Sequence, residues 1–256
     1  MADSLLYEFP CNEKVRTYLR LEALFRRYDW LCAQDSGIAH QSAISALFDL
    51  LDASARSDLR NDLIQELERH RQRLLRLSGS DEVDQEKLSA TLKSISEAIE
   101  EVAGNVGRTS QSVRGDPWLQ LVRARLNLAG GTCEFDLPQF HRWLNSPAES
   151  RRRELMGYVE TLEPVRHACD LLLRLMRSNA QVEEFTATNG SFQYSMHRKP
   201  QYALAQIRMP ADSPYLPEMS ANKYMLWIRF SVEDEHHRLC ATRDTVKFSL
   251  GLCSLL

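Results

Sequence analysis

The chain predicts an α+β fold: a large all-helical domain over residues 10–178, then a small antiparallel β domain over residues 179–256. Two observations carry that prediction. Before Asn179 the apolar residues recur at helical spacing almost throughout, and after it they alternate. Within the helical part, two matched heptad seams are joined by a short polar loop, the pattern of an antiparallel helical hairpin.

Each element has its own local signal. Phe9-Pro10 ends an opening segment, and Asn12 is a good N-cap for a first helix with Val15, Tyr18, Leu19, Phe25 and Tyr28 on its core side. Ile44, Leu47, Phe48 and Leu51 mark a second helix from Ala43 to Asp52. Ser57 is placed to cap a third, along which Leu63, Leu67, His70, Leu74 and Leu77 form a seam with one polar position. Ser78-Gly79-Ser80 is a turn. Asp84 then caps a fourth helix, with Val83 and Leu88 as a hydrophobic staple and Leu88, Leu92, Ile95, Ile99 and Val102 as the matching seam. Asp116-Pro117 opens a helix through Leu126, Gly130-Gly131 breaks the chain, and Asp136-Leu137-Pro138 starts a short helix ending near Leu144-Asn145. Ser146-Pro147-Ala148-Glu149 reads as a capping box, and Pro164 opens the last helix, with Val165, Ala168, Cys169, Leu172, Leu175 and Met176 on its stripe.

Beyond Asn179, Phe185 to Thr188 and Ser191 to Met196 flank Asn189-Gly190, which predicts a hairpin with a two-residue turn. Tyr202 to Met209 is a strand stopped by Pro210. Tyr224, Leu226, Ile228 and Phe230 alternate with Met225, Trp227 and Arg229, and Val246 to Leu252 alternates likewise. A compact meander-like arrangement fits these strands, and residues 4–9 are placed to join it as an N-terminal strand.

Composition narrows the function classes. A chain of 256 residues that is 43% hydrophobic buries a sizeable core without staples. Its formal net charge of −3 argues against a generic nucleic-acid binder. Arginine outnumbers lysine, and arginine is the better residue for bidentate carboxylate recognition. The six cysteines include no Cys-x-x-Cys pair and read as reduced thiols. The N-terminus lacks the pattern of a signal peptide, and no stretch approaches a membrane span, so the expectation is a soluble, cytoplasmic protein.

No catalytic constellation emerges. His236-His237-Arg238-Leu239-Cys240 lacks the ligand count of a zinc site and follows Glu233-Asp234-Glu235, the composition of a solvated loop. Cys133 with His141 has no accompanying nucleophile elbow or phosphate loop. The expectation is therefore no enzyme activity, no cofactor and no metal. The basic residues are more informative. Arg69, Arg71, Arg73 and Arg76 crowd the third helix, but Glu66 and Glu68 are spaced to pair with them. Arg151-Arg152-Arg153 fans around its helix. Arg16, Arg20 and Arg27 share one stripe of the first helix, which alone reads as a solvated basic face. Arg56 and Arg60 flank and enter the start of the third helix, where orphan N–H groups favour an anion. Arg229 shares a strand face with Trp227 and Met225, a cation beside an apolar anchor.

Several stretches resemble the ZapD family of bacterial cell-division proteins. They are the run Phe9-Pro10-Cys11-Asn12-Glu13-Lys14-Val15-Arg16-Thr17-Tyr18-Leu19-Arg20-Leu21-Glu22, then Leu50-Leu51-Asp52 with Arg56, Leu59-Arg60 and Glu66-Leu67. Leu121 to Leu126 is followed by the longest such run, Gly130-Gly131-Thr132-Cys133-Glu134-Phe135-Asp136-Leu137-Pro138 with His141 and Trp143-Leu144, and Lys223 with Ile228-Arg229-Phe230 closes the series. The resemblance implies a helical domain plus a β domain, and a non-enzymatic, homodimeric crosslinker that engages the C-terminal tail of FtsZ, the tubulin-like division GTPase, at the midcell ring. It also implies tail contacts from basic positions at the junction of the two domains, where Arg56 and Arg229 match; Met225 stands where a family member can have Arg. The expected tail-binding set is Arg56, Arg60, Lys223 and Arg229, with Trp227, Arg16 and Arg20 as secondary members. His141 and Trp143 are expected at the dimer interface. The alternative function is a helical nucleic-acid-binding regulator, for which the arginine-rich third helix speaks.

Overall fold

The computed structural model describes residues 4–55, 58–79, 83–105, 113–196, 202–222 and 224–254. Among them are eight helices: α1 (Glu13–Ala33), α2 (Gly37–Ser54), α3 (Leu59–Leu75), α4 (Gln85–Asn105), α5 (Pro117–Leu126), α6 (Pro138–Leu144), α7 (Ala148–Glu160) and α8 (Glu163–Ser178). The strands are β1 (Ser4–Pro10), β2 (Ala180–Ala187), β3 (Ser191–Ser195), β4 (Tyr202–Pro210), β5 (Tyr215–Ala221), β6 (Met225–Glu233), β7 (Leu239–Ala241) and β8 (Val246–Ser254). The fold class is α+β: strand β1 precedes the helices, and the other strands of the antiparallel sheets follow them. The chain divides into two compact units, Thr17–Leu172 and Met1–Arg16 with Leu173–Leu256.

Several helix starts follow the sequence signals. Asn12 Oδ1 accepts from Val15 N at 2.9 Å, Asp84 Oδ1 accepts from Glu86 N and Lys87 N at 3.1 Å each, and Asp116 Oδ1 accepts from Leu119 N at 2.9 Å. Each side chain satisfies amide donors that the first helical turn leaves open. The capping box at Ser146 does not form. The helix begins at Ala148 with Pro147 as its N-cap, and the Ser146 hydroxyl instead donates to Trp143 O at 2.7 Å. Ser57, expected to cap α3, lies outside the described residues; the cap position is Asp58, whose side chain makes no capping bond.

In α1 the buried face is Val15, Tyr18, Leu21, Phe25 and Tyr28. Leu19 is only half-buried, so Leu21 takes the core position expected of it. Helices α3 and α4 form the expected hairpin. Arg60, in the first turn of α3, donates through Nε to Val102 O at 3.3 Å and through Nη2 to Ala103 O, near the end of α4. The start of one helix meets the end of the other, so the pair is antiparallel. Leu63, Leu67 and His70 on α3 and Leu88, Ile95 and Val102 on α4 are buried. The seam is shorter than predicted: Leu74 is half-buried, and Leu77 lies beyond the end of α3 and is exposed. Leu92 and Ile99 are half-buried as well.

A buried cation joins the remaining helices of this unit. Arg151, only 4% exposed, donates through Nε to His40 Nδ1 at 2.9 Å, through Nη1 to Leu144 O at 2.9 Å and to Ser146 O, and through Nη2 to Asp35 O at 2.6 Å. Since a guanidinium only donates, His40 Nδ1 must accept. The ring proton then sits on Nε2, which donates to Cys32 O at 3.3 Å. Arg152 adds bonds to Cys32 O at 3.0 Å and Asp35 Oδ1 at 2.7 Å, and the Tyr28 hydroxyl reaches Leu155 O at 2.6 Å.

The strands form two sheets, β1-β4-β8-β2 and β3-β6-β5, with β7 on β6. This is not a meander, and the expected β2–β3 hairpin is not a ladder. Asn189 (φ 53°) and Gly190 (φ 63°) make the turn, but β2 pairs with β8 and β3 with β6, leaving only the bridge of Thr188 with Ser191. The turn passes the chain from one sheet to the other, so Phe185 and Phe192 meet across the core at 4.9 Å between ring centroids. Strand β5 was not anticipated, because Pro217 interrupts its pattern. As an edge strand of its sheet it tolerates the missing amide. Inward residues of both sheets, including Ile207, Leu226, Ile228, Phe230, Phe248 and Leu250, form one core. Strand β1 pairs with β4 from Ser4↔Pro210 to Pro10↔Leu204, and Glu8 is held by Arg177 (2.9 and 2.6 Å) and Gln206 (2.8 Å).

Two predictions follow from this packing. A Cβ on Gly190 would collide with the Thr242 carbonyl, and the positive φ adds strain. Gly190→Ala is therefore expected to cost about 1–3 kcal/mol, read by urea unfolding; a change under about 0.5 kcal/mol would contradict the turn geometry. His70 is fully buried, and burial first, then Arg73 and Arg69, push its pKa down to about 4 from an ordinary value of 6.5. Between these values the unfolded chain binds the proton and the folded chain does not, so stability falls as pH drops from 6.5 towards 4. His70 should contribute a loss of about 2 kcal/mol between pH 7.5 and pH 5. His70→Leu should flatten the pH dependence by that amount, and an unchanged slope would contradict the assignment.

Candidate functional site

Strand β6 carries the clearest candidate face. Its alternation is set by period two: Leu226, Ile228 and Phe230 point into the core, while Met225, Trp227 and Arg229 point outward. The flanking strands place three serines, a glutamine and a glutamate beside that outer face. Arg229 lies between Ser191 of β3 and Glu218 of β5, Trp227 between Gln193 and Ser220, and Met225 beside Ser195. Ser191 beside Arg229, and Ser220 beside Trp227, leave room around these two side chains. Trp227 is half-buried and Arg229 is exposed. Among the described residues, no side-chain hydrogen bond or ion pair engages Arg229, although Glu218 lies directly across the ladder; a Glu218 oxygen accepts from the Ser231 hydroxyl at 3.4 Å instead.

The turn leading into this strand is pinned by Asn222, whose Oδ1 accepts from Tyr224 N at 2.8 Å and Met225 N at 2.9 Å. Lys223 lies outside the described residues, as does Arg56. The other expected tail-binding residues differ in how far the fold already uses them. Arg60 spends its guanidinium on the carbonyls at the end of α4, where the helix dipole favours a cation. Arg16 pairs with Glu13 at 3.1 Å and lies over the Phe9 ring at 5.8 Å from its centroid. Arg20, one turn further along α1, is exposed and forms no hydrogen bond or ion pair among the described residues. Thus the residues brought together on one surface are Trp227 and Arg229, with Met225 beside them.

The remaining basic clusters are largely internal. Arg69 pairs with Glu66 at 2.8 Å and Arg71 with Glu68 at 2.9 Å, as their spacing predicts. Of the Arg151 to Arg153 triplet, only Arg153 is left without a partner among the described residues; adjacency in sequence gave no sign that Arg151 is a core residue. Trp143 is 8% exposed, stacked on Phe140 at 5.8 Å and donating from Nε1 to Glu154 Oε2 at 2.8 Å, whereas His141 is exposed. The His236-His237 segment is an exposed turn in which His237 faces Glu233. Among the described residues, no group of three or more His, Cys, Asp or Glu side chains is placed to hold a metal ion, and no helix is long and apolar enough to cross a membrane.

A helical region followed by antiparallel sheets, with an unpaired arginine beside a tryptophan on a sheet face, defines an α+β chain whose most distinctive described surface is a strand face. The family model of ZapD, described as a cell division protein, matches residues 19–229, and the chain belongs to this family. The match runs from within α1 to Arg229 itself, so the outward residues of β6 through Arg229 fall inside it.

Proposed function

We propose that this protein binds the C-terminal tail of FtsZ and, as a cytoplasmic homodimer at the division ring, crosslinks FtsZ protofilaments into bundles that stabilise the Z-ring. Membership of a cell-division family supports the setting. The observation that carries the reading is Arg229, unpaired and exposed beside Trp227 on the outer face of β6. A flexible acidic peptide with an apolar side chain matches that pair: the guanidinium takes a carboxylate, and the indole takes the anchor. Arg20, Arg56 and Lys223 are proposed as supporting cations. Arg16 and Arg60 are proposed in a smaller role, since the fold already engages both.

The mechanism is one of valency. A segment that orders on binding has modest affinity per site. Two tail sites on a dimer, facing many tails along each filament, convert weak contacts into firm bundling. The exposed part of the dimer surface is proposed to include His141, with Trp143 supporting it from beneath. The nucleic-acid reading has less behind it, because Arg69 and Arg71 of α3 are paired with glutamates of the same helix and Arg60 is held by carbonyls of α4.

Arg229→Glu is expected to weaken binding of a fluorescent FtsZ tail peptide by at least about tenfold in an anisotropy titration. The thermal midpoint should stay almost unchanged, since the exposed side chain makes no hydrogen bond or ion pair among the described residues. Binding by wild type should also weaken as salt rises. A variant that binds the peptide as tightly as wild type at low salt would remove Arg229 from the site.

A further inference from the structure

A second built site lies in the helical unit, between α5, α6 and α7. It is an open pocket of about 490 Å³ lined by Trp118, Trp143 and Tyr158 together with Glu154, Arg142 and Ser150, of which Glu154 and Arg142 are exposed. The two indoles are tilted by 59° with centroids 5.5 Å apart, so they present two faces of a box rather than a flat stack. Phe140 backs Trp143 at 5.8 Å, nearly parallel, which fixes the deeper wall. The Trp143 indole donates to Glu154 Oε2 at 2.8 Å and so holds the carboxylate beside the rings. Glu154 Oε1 has no hydrogen-bond partner among the described residues.

Two carboxylates act on the Tyr158 side of this pocket. The Tyr158 hydroxyl is pushed up to about 12, by burial first and then by the charges of Asp116 and Glu154. Asp116 is itself fixed at the start of α5 through Leu119 N. Aromatic faces attract cations through their quadrupole, and a fixed carboxylate beside them adds a full charge. Two indoles, a phenol and one carboxylate thus surround this space, with Arg142 as the one cation in its lining.

We propose that this cavity binds a guanidinium or alkylammonium group, with the cation against Trp118, Trp143 and Tyr158 and its charge balanced by Glu154. The pocket belongs to the helical unit and β6 to the other unit; it shares Trp143 with the proposed dimer surface and makes no use of the tail contact at Arg229. Such a group has two possible sources, a free small molecule or an arginine or lysine side chain of a peptide. Arg142 also lines the pocket and repels a second cation near it, so the bound charge sits on the Glu154 side.

The test follows the Trp side-chain N–H signals of the ¹⁵N-labelled full chain during titration. The probes are N-acetyl-arginine methylamide, an arginine-containing peptide, tetramethylammonium and the neutral isostere N-acetyl-citrulline methylamide. The Trp118 and Trp143 signals, assigned with Trp118→Phe, should shift saturably with the cations in the millimolar range and hardly at all with citrulline. Tighter binding of the peptide points to a side chain as the source, and tighter binding of tetramethylammonium points to a small molecule. Glu154→Gln preserves shape and should weaken cation binding at least about tenfold. Equal shifts from arginine and citrulline, no saturable shift from any cation, or full affinity in a folded Glu154→Gln protein would each overturn the proposal. The citrulline comparison uses wild-type protein, so it decides the question even if a variant fails to fold.

Discussion

The helical unit is organised by a guanidinium buried without a carboxylate. Arg151 keeps its charge and is solvated instead by three main-chain carbonyls and a histidine lone pair. A buried charge left short of partners is costly, so the elements that supply those partners are constrained together. They are the loop after α1 at Asp35, His40 on α2, and the C-terminal end of α6 at Leu144 and Ser146. The last of these is favourable twice over, because carbonyls at a helix C-terminus carry partial negative charge. Burial and the neighbouring Arg151 hold the His40 pKa down, which keeps the ring in the neutral tautomer this network requires. The same contacts fix the step from α6 to α7, and with it the relation of Trp143 to Glu154 on which the aromatic cavity rests.

In the β unit the corresponding constraint is register. The two inward-facing residue sets share one core, so a slip of one residue in β6 would bury Arg229 and expose Phe230. The placement of Trp227 and Arg229 on the outer face is therefore a consequence of core packing. Their freedom from internal partners comes from their neighbours. Ser191, Gln193 and Ser220 are too short or too neutral to draw the long side chains down, and Glu218 is engaged by Ser231.

What the sequence revealed tracks what is local. Helix caps at Asn12, Asp84 and Asp116 are contacts within three residues, and the alternation of β6 is a two-residue pattern; both were legible. The α3–α4 hairpin was legible as matched seams, but not where it frays, since Leu77 continues the heptad although the helix has ended. The Asn189-Gly190 turn was recognised and its strand pairing was not, because turn chemistry fixes the backbone of two residues and leaves sheet assignment to the core. Arg151 and Arg60 were unreadable for a related reason: each looks like a surface cation until the carbonyls it reaches, from residues distant in sequence, are brought to it. The aromatic cavity draws on Trp118, Trp143 and Tyr158, and no spacing rule links these three. Arg229 beside Trp227 was visible because both residues lie on one strand.

The central functional claim is that the tail of FtsZ, rather than the filament body, is what this protein grips. Sedimentation of assembled FtsZ at low speed, with full-length filaments and with filaments lacking the C-terminal tail, tests it most directly. The account predicts that the protein carries full-length filaments into the pellet as bundles and pellets with them, and that it leaves tail-less filaments in the supernatant. Equal bundling of the tail-less filaments would contradict it.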